Sequence, residues 1–257
     1  MEMPRVLVLG ATGRIGGLLR RRWGEGAAEW GTRALFADPP ALAGAARGAD
    51  AILCLSGVTP PAAARGGDLS DNTRLVLAAL RAGAEAGAQV LLASSAAVYG
   101  AGGGSEDAVL EPATPYGRAK VAMEQAARAL GLPHCSLRIG NIAGLDAALG
   151  DWRPGCQLDT FADGQTPRRS WIGMATLADT LAALCVRTDL PVALNLAQPG
   201  TVAMGALLDA AGRAWQPRPA PPTAIARVEL DVTRLLRLLP LPPATPEGLA
   251  AEWRACT

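Results

Sequence analysis

The sequence predicts an α/β fold built on a doubly wound parallel sheet with a small C-terminal lobe. Short apolar runs that resemble strands alternate with segments of helical spacing along most of the chain. The runs at residues 5–9, 51–55 and 89–93 are almost entirely apolar, as expected of strands that are buried on both faces of a parallel sheet. A chain of 257 residues is long enough for one sizeable core, so we expect one compact unit.

The bulk composition argues against several classes of function. The formal net charge is +1 and the charges are scattered, which disfavours nucleic acid or an acidic membrane as a partner. The one histidine, His134, lies just before a predicted strand, where neither a zinc site nor a Ser-His-Asp triad has its other parts, so we expect no metal. Five cysteines without a C-x-x-C pair favour a reducing compartment. No apolar stretch approaches the ~20 residues of a membrane span, so we expect a cytoplasmic protein. The scattered charge favours a small molecule as its partner.

The first predicted strand runs directly into a glycine-rich turn. Residues 10–16 read Gly-Ala-Thr-Gly-Arg-Ile-Gly, and Ile15, Leu18 and Leu19 then continue at helical spacing. Between a strand and a helix, such glycines allow a tight turn and a close approach of the backbone to a pyrophosphate. The N–H groups and the positive dipole end of the helix would hold that anion. The pattern predicts a dinucleotide site of the Rossmann type.

A second motif lies near the middle of the chain. Lys120 is the only lysine among 24 basic positions, and Tyr116, one of two tyrosines, precedes it by four residues. If Pro115 is the first residue of a helix, this spacing places both side chains on one face, one turn apart. A neighbouring ammonium lowers the pKa of a phenol from its usual ~10, as a general acid/base for an alcohol or ketone requires. The pair therefore predicts catalysis.

The residues around the predicted second strand leave the cofactor preference open. The strand at 28–33 ends in Arg33, where an NAD-preferring protein would usually carry an acidic residue for the ribose 2′-hydroxyl. Arg33 and Arg14 would bind a 2′-phosphate, which favours NADP. If the strand is instead 32–37, Asp38 supplies the acidic group, and NAD remains an alternative.

Two further strand ends deliver small polar residues to one edge of the sheet. Ser56 and Gly57 follow the predicted strand 51–55, and Ser94 and Ser95 follow the next one. Ligands of open α/β sheets bind outside the carboxyl ends of the strands, so these residues are candidates for a site. The other predicted elements are a stub of a third strand at 34–36, helices at 40–47, 71–87 and 174–186, a strand at 193–196, a proline-rich link at 217–222, and short helices at 231–238 and 246–255.

Several motifs, in this order, resemble the extended short-chain dehydrogenase/reductase superfamily, specifically its NAD(P)-dependent epimerase/dehydratase family. They are Gly-Ala-Thr-Gly-Arg-Ile-Gly at 10–16, Gly-Ala-Asp-Ala-Ile-Leu at 48–53, Ser-Ser-Ala-Ala-Val-Tyr-Gly at 94–100, Pro-Tyr-Gly-Arg-Ala-Lys at 115–120 and Leu-Arg-Ile-Gly-Asn-Ile at 137–142. The resemblance implies a Rossmann domain at 1–145, to which 171–197 returns, and a substrate lobe at 146–257. The lobe is shorter than usual in the family, so we expect a small, sugar-like substrate rather than a complete nucleotide sugar.

The resemblance also implies roles for individual residues. Tyr116 would be the acid/base, Lys120 would tune it and hold the nicotinamide ribose, and Ser95 would orient the substrate oxygen. Asn72 matches a helix asparagine of the family's active site, and Asp38 resembles an acidic residue that contacts adenine. The predicted cofactor-binding residues are Gly10, Thr12, Gly13, Arg14, Ile15, Gly16, Arg33, Asp38, Leu55, Ser56, Gly57, Tyr116, Lys120, Ile139 and Asn141.

The implied function is hydride transfer between NADP or NAD and a hydroxyl or keto carbon of a small substrate. The residues do not decide between an epimerase, a dehydratase and a reductase. An alternative on the same fold is a non-catalytic NADP-binding sensor. The presence of Ser95, Tyr116 and Lys120 together argues against a sensor, which has no use for a tuned phenol. The expected partner is a small-molecule substrate, and a homodimer is allowed.

Overall fold

The computed structural model describes residues 4–146 and 149–256 of the chain. The strands are β1 (Val6–Leu9), β2 (Glu29–Gly31), β3 (Ala51–Cys54), β4 (Gln89–Ser95), β5 (Gly102–Gly104), β6 (His134–Ile139), β7 (Asn141–Ile142), β8 (Gln157–Thr160), β9 (Arg168–Arg169), β10 (Trp171–Ile172), β11 (Ala193–Leu196), β12 (Val202–Ala203), β13 (Gln216–Pro219) and β14 (Arg227–Leu230). The α-helices are α1 (Arg14–Trp23), α2 (Pro39–Ala46), α3 (Pro60–Ala64), α4 (Asp71–Ala86), α5 (Pro115–Leu130), α6 (Met174–Cys185), α7 (Met204–Ala210), α8 (Thr233–Leu238) and α9 (Pro246–Cys256).

The centre of the fold is a six-stranded parallel sheet in the order β2-β1-β3-β4-β6-β11. Side chains alternate between its faces, as the pleat of a strand requires. Val6 and Val8 of β1 belong to the core that includes residues of α1 and α6, whereas Leu7 and Leu9 belong to the core that includes residues of α2, α4 and α5. Because both faces are covered, the strands are apolar throughout, and the predicted doubly wound α/β fold is confirmed.

The segment after β2 differs from the prediction. The strand ends at Gly31, whose carbonyl accepts hydrogen bonds from the N–H groups of Gly10 and Ala11. Residues 33–37 form a 3₁₀ helix instead of a stub of a third strand. Asp38 then accepts a hydrogen bond from the Ala41 N–H and caps α2, so the chain turns back toward the sheet without adding a strand.

Smaller sheets lie beyond the central one. Strands β12, β9, β14 and β5 form one sheet in that order, while β7 pairs with β10 and β8 pairs with β13. The proline-rich link predicted at 217–222 begins as the two-stranded pairing of β13 with β8, since proline is tolerated at a sheet edge. Strand β11 (Ala193–Leu196) lies in the central sheet beside β6. Within the described residues, none of the helices has the length and apolar character needed to cross a membrane.

Candidate active site

A cavity of about 750 Å³ lies at the carboxyl ends of β1, β3, β4 and β6. This volume is in the range of small-molecule and cofactor sites. Of the residues predicted from the sequence, those lining the cavity are Gly10, Thr12, Gly13, Arg14, Ile15, Gly16, Leu55, Gly57, Asn72, Ser95, Tyr116, Lys120, Ile139 and Asn141. The glycine turn and the Tyr116 motif, which are about a hundred residues apart in sequence, therefore meet at one site.

The glycine turn forms a cradle that side chains would fill. Gly10 has φ 103°, and a Cβ at Gly16 would lie 2.3 Å from the Gly10 carbonyl oxygen. Helix α1 follows at Arg14, with Gly13 at its N-cap and no capping side chain from the described residues. The first N–H groups of α1 are thus left for an anion, as dinucleotide binding requires. These residues fit the pyrophosphate of a dinucleotide.

The loop after β3 is held against α4 by Asn72. The buried Asn72 amide donates to the carbonyl of Val58 at 3.2 Å, and its oxygen accepts from the Val58 N–H at 3.2 Å. A Cβ at Gly57 would lie 2.5 Å from the Asn72 Oδ1 and 3.5 Å from the Lys120 Nζ. Asn72 thus positions this loop beside Lys120, while a direct part for Asn72 in chemistry stays a prediction.

The first turn of α5 is packed tightly against the segment that follows β4. Pro115 is the first helical residue, as predicted, and the side chain of Thr114 accepts a hydrogen bond from the Gly117 N–H at 3.0 Å. A Cβ at Gly117 would lie 2.4 Å from the Ala97 carbonyl oxygen. Because only glycine permits this approach, the first turn of α5 lies close to the end of β4, where the Ser95 hydroxyl acts on the pKa of Tyr116.

Lys120 lies beside Tyr116, as the spacing predicts. The residue is 5% exposed, and its Nζ lies 5.8 Å from the centre of the Tyr116 ring and donates to the Ala93 carbonyl at 2.7 Å. Burial lowers the pKa of Lys120 to about 8, partly opposed by Cys54 and Glu124.

The expected lowering of the Tyr116 pKa is not found. Burial raises the pKa of Tyr116, and the hydrogen bond with Ser95 opposes this only in part. The sequence shows that a cation lies near the phenol, but it does not show that the phenol is buried. Burial disfavours the charged phenolate and so raises the pKa. In this state Tyr116 is a protonated phenol at neutral pH, suited to donate a proton.

Arg14 and Arg33, predicted to bind a 2′-phosphate, both have carboxylate partners. Arg14 lines the cavity but pairs with Asp151 at 2.7 Å and donates to the carbonyl of Leu145. Arg33 is ion-paired with Asp71. The residues that line the described part of the cavity do not include Arg33, Asp38 or Ser56. Asp38 caps α2 instead.

Arg169 is a cavity residue that the sequence left undecided. In the sequence, the adjacent Arg168 and Arg169 are as consistent with binding a substrate anion as with a solvated pair. Only Arg169 lines the cavity, near Ile225 and Val228, while Arg168 donates to Thr201. The Arg169 guanidinium donates to the carbonyls of Arg168 and Ile225 and forms no carboxylate ion pair with the residues described here.

The fold is similar to that of several solved enzymes. A UDP-glucose-4-epimerase from Stenotrophomonas maltophila, solved with NAD and formylated UDP-arabinopyranose, matches with a TM-score of 0.74 and 18% identity over 98% of each chain. A UDP-N-acetylglucosamine 4-epimerase from Methanobrevibacter ruminantium M1, in complex with UDP-N-acetylmuramic acid, matches with 0.78 and 15% over 100% of each chain. The dTDP-glucose 4,6-dehydratase DesIV from Streptomyces venezuelae, with NAD bound, matches with 0.75 and 21% over 98% of this chain and 97% of its own.

At these identities, the structural likeness establishes the fold. Among curated proteins, no sequence matches the chain significantly. A sequence model of the NAD dependent epimerase/dehydratase family matches residues 6–151, a span that holds the glycine turn, Ser95, Tyr116 and Lys120. Since this span is more than half of the 257 residues, the chain belongs to the NAD dependent epimerase/dehydratase family.

Proposed function

We propose that the protein is an NAD-dependent oxidoreductase of the epimerase or dehydratase type that acts on a hydroxyl or keto carbon of a sugar-type substrate. The observation that carries this proposal is the meeting of Ser95, Tyr116 and Lys120 in the cavity that also contains the glycine turn. Membership of an NAD dependent family supports it. Bound nicotinamide would supply the hydride acceptor or donor.

The side chains divide the proton chemistry between them. Ser95 donates to the substrate oxygen and so fixes the carbon that reacts. Tyr116 gives a proton to a ketone oxygen, or takes one from a hydroxyl, as the carbon changes its oxidation state. The ammonium of Lys120 favours the phenolate in the second case and can also donate to a ribose hydroxyl. General acid/base catalysis of this kind contributes about 10²–10⁴-fold to a rate.

NAD fits the described charges better than NADP. An additional phosphate on the adenosine ribose needs a free cation, and both candidate arginines are already paired with carboxylates. The family description names NAD, and the neighbours from Stenotrophomonas and Streptomyces were solved with NAD. The cofactor is therefore NAD rather than the NADP that Arg14 and Arg33 favour in the sequence.

Arg169 supports an anionic substrate. Its half-buried guanidinium lines the cavity from β9 without a carboxylate partner among the described residues. Phosphate groups suit arginine because its planar fork binds two oxygens at once. The neighbours bound to UDP-sugars are matched over nearly their full length, so we extend the expectation of a small sugar to nucleoside diphosphate sugars. In this proposal, residues 146–257 outside 171–197 form the substrate lobe.

The test is a substrate panel on the protein loaded with NAD. We expect the absorbance of reduced nicotinamide to appear, or the sugar to be epimerised or dehydrated, with at least one nucleoside diphosphate sugar. Free sugars and simple alcohols serve as controls. If NAD binds but no sugar, alcohol or ketone is converted, the enzyme proposal fails, and a non-catalytic sensor that binds the dinucleotide explains the fold better.

A further inference from the structure

A buried ion pair lies beneath the candidate active site. Arg138 of β6 and Glu124 of α5 have side chains only 2% and 6% exposed. The Arg138 Nη2 donates to the Glu124 Oε2 at 2.8 Å, and the Arg138 Nε lies 3.2 Å from each carboxylate oxygen. A guanidinium held to a carboxylate through two of its nitrogens fixes both the distance and the relative orientation of the two elements.

Glu124 also connects the two elements that carry the candidate catalytic residues. It accepts a hydrogen bond from the Ser94 hydroxyl on β4, immediately before Ser95. On α5 it lies four residues after Lys120, which itself lies four residues after Tyr116, so the three side chains share one helix face. The same carboxylate thus contacts the strand of Ser95 and belongs to the helix of Tyr116.

The guanidinium of Arg138 extends the network away from α5. Its Nη1 donates to the Tyr99 hydroxyl at 2.8 Å and to the Glu106 carbonyl at 3.0 Å. The Tyr99 hydroxyl in turn donates to the Asn195 Oδ1 on β11 at 2.7 Å. The Asn195 amide donates to the carbonyl of Asp231, in the segment proposed as the substrate lobe, at 2.9 Å. Every nitrogen of the guanidinium therefore has a partner, and the network runs from the catalytic helix to the lobe.

Stability alone is a poor explanation for this ion pair. Removing two charges from water costs free energy that their attraction only partly returns, so well-packed apolar residues of similar volume are often as stabilising. Breaking such a pair at one end is costly, because it leaves a buried charge without a partner. A fully satisfied network is instead suited to specify one geometry.

We propose that Arg138 and Glu124 are positioning residues for the reaction. They fix the position of α5 relative to β4, so that Tyr116 lies next to Ser95. The Glu124 carboxylate also stabilises the charged form of Lys120. This inference rests on the proposed function. Among the described residues, the titratable groups around the Lys120 ammonium are Tyr116 and Glu124 on α5 and Cys54 on β3. Of these, Cys54 is a buried thiol whose pKa is raised to about 11, so it is neutral at neutral pH and Glu124 is the carboxylate that acts on Lys120.

The test compares a double variant of the buried ion pair with a control variant at an exposed ion pair. In Glu124→Leu with Arg138→Met, both charges are removed and the volume is roughly kept, so we expect thermal stability and the Kd for NAD to stay close to those of the wild type. We expect kcat to fall about tenfold or more, equivalent to 1.4 kcal/mol or more, with little change in KM. The control is Asp189→Asn, which breaks an exposed ion pair with Arg187. A double variant with wild-type kcat would overturn the proposal.

Lys120 offers a readout that does not need turnover. Because it is the only lysine, carbon-13 labelling of lysine gives a single side-chain NMR signal whose pH titration reports its pKa. In Glu124→Gln we expect that pKa to fall below its wild-type value, since the carboxylate that opposes the effect of burial is gone. An unchanged titration would overturn the electrostatic part of the proposal, even if the wild type converted no substrate and the proposed function itself failed.

A third variant covers the case in which the double variant does not fold. Ser94→Ala keeps the ion pair but removes the hydrogen bond that the Ser94 hydroxyl on β4 donates to the Glu124 carboxylate. We expect a lower kcat with an unchanged Kd for NAD, and partial rescue by Ser94→Thr, which restores the hydroxyl. Wild-type kcat in Ser94→Ala would show that the pair does not act through β4 and would overturn the positioning role.

Discussion

Arg33, just beyond the end of β2, is ion-paired with Asp71, the first residue of α4. The same carboxylate forms an ion pair with Arg74 at 2.8 Å, so Asp71 is paired with two arginines. Arg33 stands near the sequence position at which dinucleotide-binding folds place the residue that reads the adenosine ribose. A phosphate that approached Arg33 would meet the negative charge of Asp71, and like charges a few ångströms apart repel. The pairing thus explains how an arginine at this position remains compatible with NAD.

Asp71→Asn should improve the binding of NADP. We expect its Kd to fall about tenfold, or 1.4 kcal/mol, while the Kd for NAD stays within about twofold, because only NADP carries the additional phosphate. Isothermal titration with each nucleotide measures both values. Asp179→Asn, which breaks the exposed pair with Arg22, is the matched control. Adding Arg33→Ala to Asp71→Asn should cancel the gain; a gain that survives would place the phosphate elsewhere.

Tyr116→Phe should abolish conversion without loss of cofactor. The ring is retained, so the packing of α5 is unchanged, but no proton can be exchanged with the substrate oxygen. We expect kcat to fall about 10²–10⁴-fold and the Kd for NAD to change little. Steady-state kinetics and equilibrium binding separate the two effects. Turnover close to that of the wild type would remove Tyr116 from the proposed chemistry.

Lys120→Met should stabilise the fold at neutral pH while impairing conversion. Burial lowers the pKa of Lys120 from 10.5 to about 8, so below pH 8 the folded protein holds a charge that burial disfavours. As pH rises from 8 to 10.5 the unfolded chain binds more protons than the folded one, and the wild type gains stability. We expect the variant to be more stable by about 1–3 kcal/mol at pH 7.

Denaturant unfolding at pH 7 and at pH 10 checks this prediction for Lys120. The advantage of Lys120→Met should narrow at the higher pH, where the wild-type lysine is largely neutral in the folded protein. A variant less stable than the wild type at pH 7 would mean that the bond from Lys120 to the Ala93 carbonyl, at 2.7 Å, outweighs the cost of burial.

The parts of the site that the sequence predicted are those set by local spacing. The glycine turn follows its strand directly, and Pro115, Tyr116 and Lys120 lie within two turns of one helix. Local spacing does not show how deeply a side chain is buried or which residue distant in sequence it contacts. The raised pKa of Tyr116 depends on desolvation, and the partner of Arg14 is Asp151, 137 residues away.

The sequence did contain signals for two of the missed features. Arg138 is a charged residue between the apolar Leu137 and Ile139 of a strand, and Glu124 repeats the four-residue spacing of Tyr116 and Lys120. A charge in such a strand needs a buried partner, which points to an ion pair. The strand β13 carried no comparable signal, because Pro217 and Pro219 favour a link and only the pairing with β8 makes that segment a strand.

Gly117→Ala tests whether the close approach of α5 to the segment after β4 matters for conversion. The added Cβ would lie 2.4 Å from the Ala97 carbonyl oxygen, so the helix or the segment must shift, at a cost of about 1–3 kcal/mol. Because Tyr116 is next to Gly117 and Ser95 is two residues before Ala97, the shift should also separate the two hydroxyls and lower kcat. The matched control is Gly44→Ala in α2, where a Cβ meets open space and should stabilise the fold by about 0.4–1 kcal/mol. A Gly117→Ala variant that lost stability but kept the kcat of the wild type would contradict this prediction. The placement of Tyr116 beside Ser95 would then not depend on the close approach at Gly117. The position of α5 would have to be set by the ion pair of Glu124 and Arg138 alone.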